Sequence, residues 1–369
     1  MPINTEKISP AQLFSLMFLF ELGSAIVVGL GIPAKQDAWL AILIGMTGGI
    51  PLFLVYHYLF RQFPDIPLTS YITKILGKFI GLPLALIYVL YFLYIAARVL
   101  RDFGALLITS TLTETPIVVV NGLMMLLIAY GVFKGIEVIG RTSETAFFIM
   151  ILLGMMGLSV TLFSGLIKLE RIFPMLEHGF EPVLLTAIKQ TYTFPFGEMI
   201  AFTMVLPYLS QPNLSKKIGV FSMFSSGLVL SLTILVEIAV LGFQGVSQAQ
   251  FPLLETISLV NIGDFIQRLD IIVVFTLIFG VYIKITVFFY AGVSGMINIF
   301  GISKTNYKVI SIVLLGAAVL FSSIYMTSNY IEHIYTGLNW VPIYLHWPLQ
   351  TVVPLLLFVV TVTRKTYNK

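Results

Sequence analysis

Glu21, Arg98, Asp102, Glu198 and Lys284 each stand inside a stretch that is otherwise apolar. A charge in such a setting is expensive, and it is kept where it pairs, carries a proton or meets a ligand. Glu21 lies just before Gly23-Ser24-Ala25-Ile26, and Glu198 directly follows Phe194-Pro195-Phe196-Gly197. Both carboxylates are candidates for proton carriage or for partnering an amine. The plainer reading of Glu21 is an acid paired for packing; that of Glu198 is an anion favoured by the partial positive charge of a helix start. Lys284 needs a partner at its depth, and Glu21, Glu198 or bare carbonyls would serve. Arg98 and Asp102 share a helix face at a spacing of four residues, so they either satisfy each other or leave Arg98 to attract an anionic group.

The elements that must position these groups are two interrupted helices. From Tyr192 to Pro207 the sequence reads Y-T-F-P-F-G-E-M-I-A-F-T-M-V-L-P, with Pro195 and Gly197 in the middle of an apolar run. Proline removes a backbone donor and glycine loosens the turn, so a continuous helix breaks here. Lipid cannot satisfy the stranded N–H and C=O groups, and such a break persists only where protein or a polar cavity covers it. Gly23-Ser24-Ala25-Ile26 predicts a second break, with Ala25 starting a half-helix whose positive end suits a carboxylate. The frequency of Gly and Pro in membrane helices is the bland alternative for either break alone.

Composition names the solvent. Of 369 residues, 58% are hydrophobic and 10% charged, with mean hydropathy +0.99, against roughly 25% charged for a soluble domain. The chain is expected to be an all-α integral membrane protein, a single transmembrane domain over 1–369. With no Cys and with His57, His178, His333 and His346 scattered, no thiolate, metal site or cofactor is implied. The net charge of +4 is distributed by topology and gives no reason to expect nucleic acid.

About ten spans follow from the hydropathy pattern, at 11–34, 39–60, 81–109, 116–133, 144–166, 183–209, 217–243, 265–297, 307–327 and 343–363. Their connections alternate in charge. Lys7, Arg61, Lys74, Lys78, Lys134, Arg141, Lys216, Lys217, Lys304, Lys308, Arg364, Lys365 and Lys369 fall on one side, and only Lys35, Lys168 and Arg171 on the other. That bias predicts both termini in the cytoplasm. The broken spans are the first and the sixth, so the halves 10–166 and 181–330, the second completed by 343–363, read as a 5+5 inverted repeat with the site between its two breaks.

Within that frame Tyr91, Tyr94 and Tyr282 are further candidates for contact with a small ligand, with packing as the ordinary alternative. Phe251 to Val260 has helical apolar spacing but is too short to cross; it reads as an interfacial helix or a lid. Trp340 and Trp347 fit an aromatic belt.

The ordered set of segments resembles a known family. The 5+5 arrangement looks like the amino acid–polyamine–organocation transporter superfamily, with its LeuT-like fold. Ile8-Ser9-Pro10-Ala11-Gln12, the G-S-A-I segment, the G-I-E-V-I-G-R-T-S-E corner at 135–144, the F-P-F-G-E break and Arg268-Leu269-Asp270 most resemble the B subunit of spore germinant receptors. That resemblance implies a nutrient sensor of the spore inner membrane, acting with an A subunit and a lipoprotein C subunit. Three functions are compatible with the architecture: a receptor subunit binding a small nutrient such as an amino acid, a proton-coupled amino-acid permease, and a gated water or ion conduit. An enzyme is not expected, because no nucleophile, base and orienting group occur together.

Overall fold

The computed structural model describes residues 6–260 and 270–367. Arg268 and Leu269 lie outside the described residues. The described chain is helical, with one isolated backbone bridge between Ile8 and Leu209.

The start of α1 (Pro10–Leu22) explains the Ile8-Ser9-Pro10-Ala11-Gln12 motif. The Gln12 N–H donates to Ser9 Oγ at 3.1 Å and the Ser9 N–H to Gln12 Oε1 at 2.9 Å, a reciprocal cap with Pro10 in the first turn. The helix stops at Gly23, whose φ of 22° and ψ of −119° leave helical space. The half-helix expected from Ala25 does not form. Residues 23–31 run in turns, Ile32–Asp37 forms a 3-10 segment, and only α2 (Ala38–Gln62) is regular again. Gly29, the left-handed Gly31 (φ 78°) and Pro33 crowd the stretch where hydrogen bonding would have to propagate, so single turns form instead.

Next come α3 (Leu68–Ser110), α4 (Ile117–Lys134) and α5 (Ile136–Phe163). The glycine corner before α5 receives the N-terminal segment: Glu6 Oε2 accepts from the Ile136 N–H at 3.0 Å. The sixth span starts as α6 (Glu181–Thr186), widens into π-helical turns at Ala187–Thr191, and resumes after Pro195 as a 3-10 segment, Phe196–Met204. Then follow α7 (Ser215–Gln248), α8 (Pro252–Ser258), α9 (Asp270–Phe300), α10 (Thr305–Tyr325) and α11 (Tyr330–Tyr335). Wide turns at Thr336–Trp340 and Pro342–Val352 lead into α12 (Val353–Tyr367).

Among the described residues eight helices are long and apolar enough to cross a membrane. The two expected spans missing from that set are the first and the sixth, the ones interrupted midway. The ends of these two meet: the Ile8 N–H donates to the Tyr208 carbonyl and the Ser210 N–H to the Ile8 carbonyl, both at 3.0 Å. α9 lies at the centre, packed along α3, with 78% of its apolar window buried against 22% for α5 and α10.

The sixth span sits tightly on α2. A Cβ on Gly45 would lie 2.2 Å from Thr191 Oγ1 and 2.7 Å from the Thr191 carbonyl carbon. Gly45→Ala is therefore expected to destabilise the protein by about 1–3 kcal/mol, whereas Gly122→Ala, with nothing within 4 Å, leaves it unchanged or slightly more stable. Thermal unfolding of the two variants in detergent checks the difference.

Candidate functional site

Glu198 occupies the first turn of the 3-10 segment that follows Pro195, and Lys284 lies midway along α9. Their side chains are 2% and 0% exposed and meet with Nζ 2.6 Å from Oε2. The ammonium also lies 4.5 Å from the centre of the Phe194 ring and 5.3 Å from that of Phe20, an aromatic seat that suits a desolvated cation. To reach Glu198 the Lys284 stem passes over Gly23, where a Cβ would stand 2.5 Å from Lys284 Cδ. Gly23 thus serves both a backbone angle that side chains rarely adopt and a passage only hydrogen leaves open.

The other carboxylate oxygen of Glu198 lies 3.9 Å from His346 Nε2. His346 Nδ1 is 2.8 Å from the Tyr91 hydroxyl, which accepts from Gln350 Nε2 at 2.8 Å. Above this array is a cavity of about 50 Å³. Ser24 at the first break, Phe194 and Glu198 at the second, and Arg98 and Asp102 of α3 line it, and Gly337 and Val341 close it from above. The closing segment is held by α3. Arg98 Nη2 donates to the His333 carbonyl at 2.5 Å, and His333 Nε2 lies 3.0 Å from Asp102 Oδ1. Arg98 and Asp102 therefore meet through His333 and not by direct pairing.

Other candidates are placed as follows. Tyr94 accepts from Arg98 Nη1 at 3.3 Å, outside the cavity wall. Gly197 packs on Gln350, with 2.1 Å between a Cβ built there and Oε1. Glu21 is fully buried and accepts from Ser226 Oγ of α7; its other oxygen has no hydrogen-bond partner among the described residues. Ala25 belongs to the apolar core, Ile26 lines a separate apolar cavity, and Phe196 turns toward Gly49 of α2. The Tyr282 hydroxyl lies against Gly131 of α4, and Thr286 bonds back to the Tyr282 carbonyl at 2.6 Å. The segment read as an interfacial helix or a lid, 251–260, contains α8, which packs on α7 and α9 beside that apolar cavity; the polar cavity is lined instead by Ile334 of α11 and by Gly337, Leu338 and Val341 after it. Trp347 Nε1 donates to the Ile188 carbonyl at 3.2 Å, and its ring packs at a tilt against Tyr192.

Sequence reasoning missed His333, His346 and Gln350. The signal for the last two was there, two polar residues one helical turn apart inside the apolar last span. His333 has no such signal, since it acts through Arg98 and Asp102, more than two hundred residues away in sequence.

A profile of the family described as "Spore germination protein" matches residues 7–331. Spore germination protein KB of Bacillus subtilis (strain 168) is 39% identical over 359 residues, covering 97% of this chain and 95% of its own. The chain belongs to this family. It is a spore germination protein of the germinant-receptor B-subunit type, multi-pass and transporter-like. Its fold is that of LeuT-type transporters. The crystal structure of MhsT in complex with L-phenylalanine superposes with a TM-score of 0.69 at 17% identity, covering 96% of this chain and 88% of MhsT. Mhp1, a nucleobase-cation-symport-1 family transporter, gives 0.65 at 15% identity over 90% of this chain and 75% of its own.

Removing one member of a buried ion pair strands the other. Glu198→Gln and Lys284→Met are each expected to cost about 3–5 kcal/mol, and the double variant to recover most of that loss. A double-mutant cycle of unfolding free energies in detergent measures the coupling.

Proposed function

We propose that the cavity between the two breaks is the nutrient site of a germinant receptor, and that the chain is the subunit that senses a small germinant, best read as an amino acid. The observation that carries this reading is the convergence of both interruptions, at Ser24 and at Phe194-Glu198, on one polar cavity inside a membrane protein. Ser24, Phe194, Glu198, Arg98 and Asp102 line the binding cavity, and Gly23, Tyr91 and Gly197 support it from behind through Lys284, His346 and Gln350. Glu21 and Lys284 set the charge balance.

At about 50 Å³ the cavity as it stands has room for water but not for an amino acid. Binding therefore requires the α11 segment to lift, which gives the protein two states of unequal ligand affinity. Partner A and C subunits read that equilibrium in the spore inner membrane. The chain lies there with both termini cytoplasmic, and its halves, 10–166 and 181–330 with 343–363, move as inverted repeats about the shared site.

A proton-coupled permease is the second reading, favoured by the fully buried Glu21 with one oxygen unpartnered beside the Glu198–Lys284 pair. Protein reconstituted in liposomes separates the two. A sensor binds labelled germinant without accumulating it, and sustained gradient-driven uptake decides for the permease. Rapid swelling without binding would point to a water conduit instead. Gly23→Leu and Gly197→Leu should each abolish the germination response in spores, with membrane abundance measured beside it to tell loss of the site from loss of the protein. An unaltered response in both variants would remove the site from this cavity.

A further inference from the structure

Behind α1 lies a second cavity, of about 230 Å³, sharing no lining residue with the polar one. It is bounded by α1, α5, α7, α8 and α9. Among the described residues no ionisable side chain lines it, and its four hydroxyls already donate their hydrogens to the backbone. Thr161, Thr233, Thr256 and Thr276 each donate to the carbonyl four residues earlier, at 2.8–2.9 Å. Water inside would find no side-chain donor among the described residues and only the lone pairs of these four hydroxyls to bond, and cavities with so few polar partners stay dry or take hydrocarbon. The mouth is framed by Met155 of α5 and Leu232 of α7, 58% and 48% exposed on helices long enough to cross the bilayer. It opens onto lipid, not onto water. The hydrocarbon there is present at the concentration of a solvent, so a chain of the bilayer occupies such a slot by mass action ahead of any dilute apolar solute.

We propose that this cavity binds one acyl chain of a membrane lipid, resting against Leu22 and Ile26 on the back of the first helix break. Leu22 and Ile26 flank Gly23, Ser24 and Ala25, so the chain touches the same backbone whose front faces the polar cavity. Lipid occupancy and the backbone arrangement at Gly23 are thereby linked, and linkage of this kind is reciprocal.

Gly154 supplies the test, because it lines the cavity and a Cβ built there meets nothing within 4 Å. The full-length protein is placed in nanodiscs of phosphatidylglycerol and phosphatidylethanolamine containing a trace of phospholipid with a diazirine on one acyl chain. After irradiation, adducts are mapped by mass spectrometry. Labelling is expected to concentrate on residues 150–161 and 229–236, above that of Leu126 and Leu127, which are lipid-facing on α4. Gly154→Trp should reduce it several-fold at the cavity and leave Leu126 and Leu127 unchanged. Gly154→Leu gives an intermediate reduction and serves if the tryptophan variant does not fold. Labelling no stronger than at Leu126 and Leu127, or labelling indifferent to both substitutions in folded protein, would each overturn the proposal. The readout needs no germinant, so it stands or falls apart from the nutrient-site reading.

Discussion

The contact between Glu198 and Lys284 is the constraint on which the rest of the architecture depends. Two charges withdrawn from water lose several kcal/mol of hydration each, and only close mutual contact offsets that loss. At 2.6 Å they are in such contact, and the ammonium has the Phe194 and Phe20 rings as its further company. The geometry ties three pieces of chain together. Glu198 belongs to the half of the sixth span that follows Pro195, Lys284 to central α9, and the lysine stem runs across Gly23 at the end of α1. A displacement of either break disturbs the pair, and a change at the pair is felt at both breaks.

Interrupting two helices at membrane depth exposes backbone groups, and the structure answers with side chains from neighbouring helices. Gln190 Oε1 accepts from the Gly31 N–H at 3.1 Å beyond the first break. Thr191 Oγ1 donates to the Ala41 carbonyl at 2.6 Å, tying the sixth span to α2. In the wide turns before α12, the Leu349 carbonyl accepts from the Tyr88 hydroxyl and the Gln350 carbonyl from the Tyr56 hydroxyl, both at 2.6 Å. These bonds do in the protein interior what water does elsewhere, and they let irregular backbone persist where lipid alone would forbid it. They also explain why Tyr56 and Tyr88 gather beside the last span: each supplies one hydroxyl to a carbonyl that the wide turns leave available.

Much of the site was legible in the residues themselves. Pro195 with Gly197, and the run of small residues after Glu21, mark the interruptions through properties of the backbone that need no tertiary context. Glu198 in the first turn after a proline and Lys284 in an apolar run stand out because charge is rare there. The places where the reading departs from the structure have two causes. The half-helix from Ala25 fails because Gly29, Gly31 and Pro33 follow it. The inward aim of Tyr282 fails for a different reason: it depends on how a helix is rotated about its axis, and an all-round apolar helix carries no periodicity to reveal that rotation. Which cavity 251–260 lies beside is likewise set by packing and not by its own spacing.

Composition, hydropathy and the placement of Pro, Gly and charge determined by themselves that this chain lives in a bilayer, crosses it about ten times and is broken in its first and sixth crossings. These are short-range properties, written wherever a residue differs from its immediate neighbours. Which carboxylate meets Lys284, that His333 joins Arg98 to Asp102, and that residues 334–341 and not α8 line the cavity were decided only by the tertiary structure. Those pairings join groups far apart in sequence across helix faces whose orientation is set by packing. In a medium as apolar as the side chains themselves, shape and polar satisfaction choose the facing partners, and neither is local.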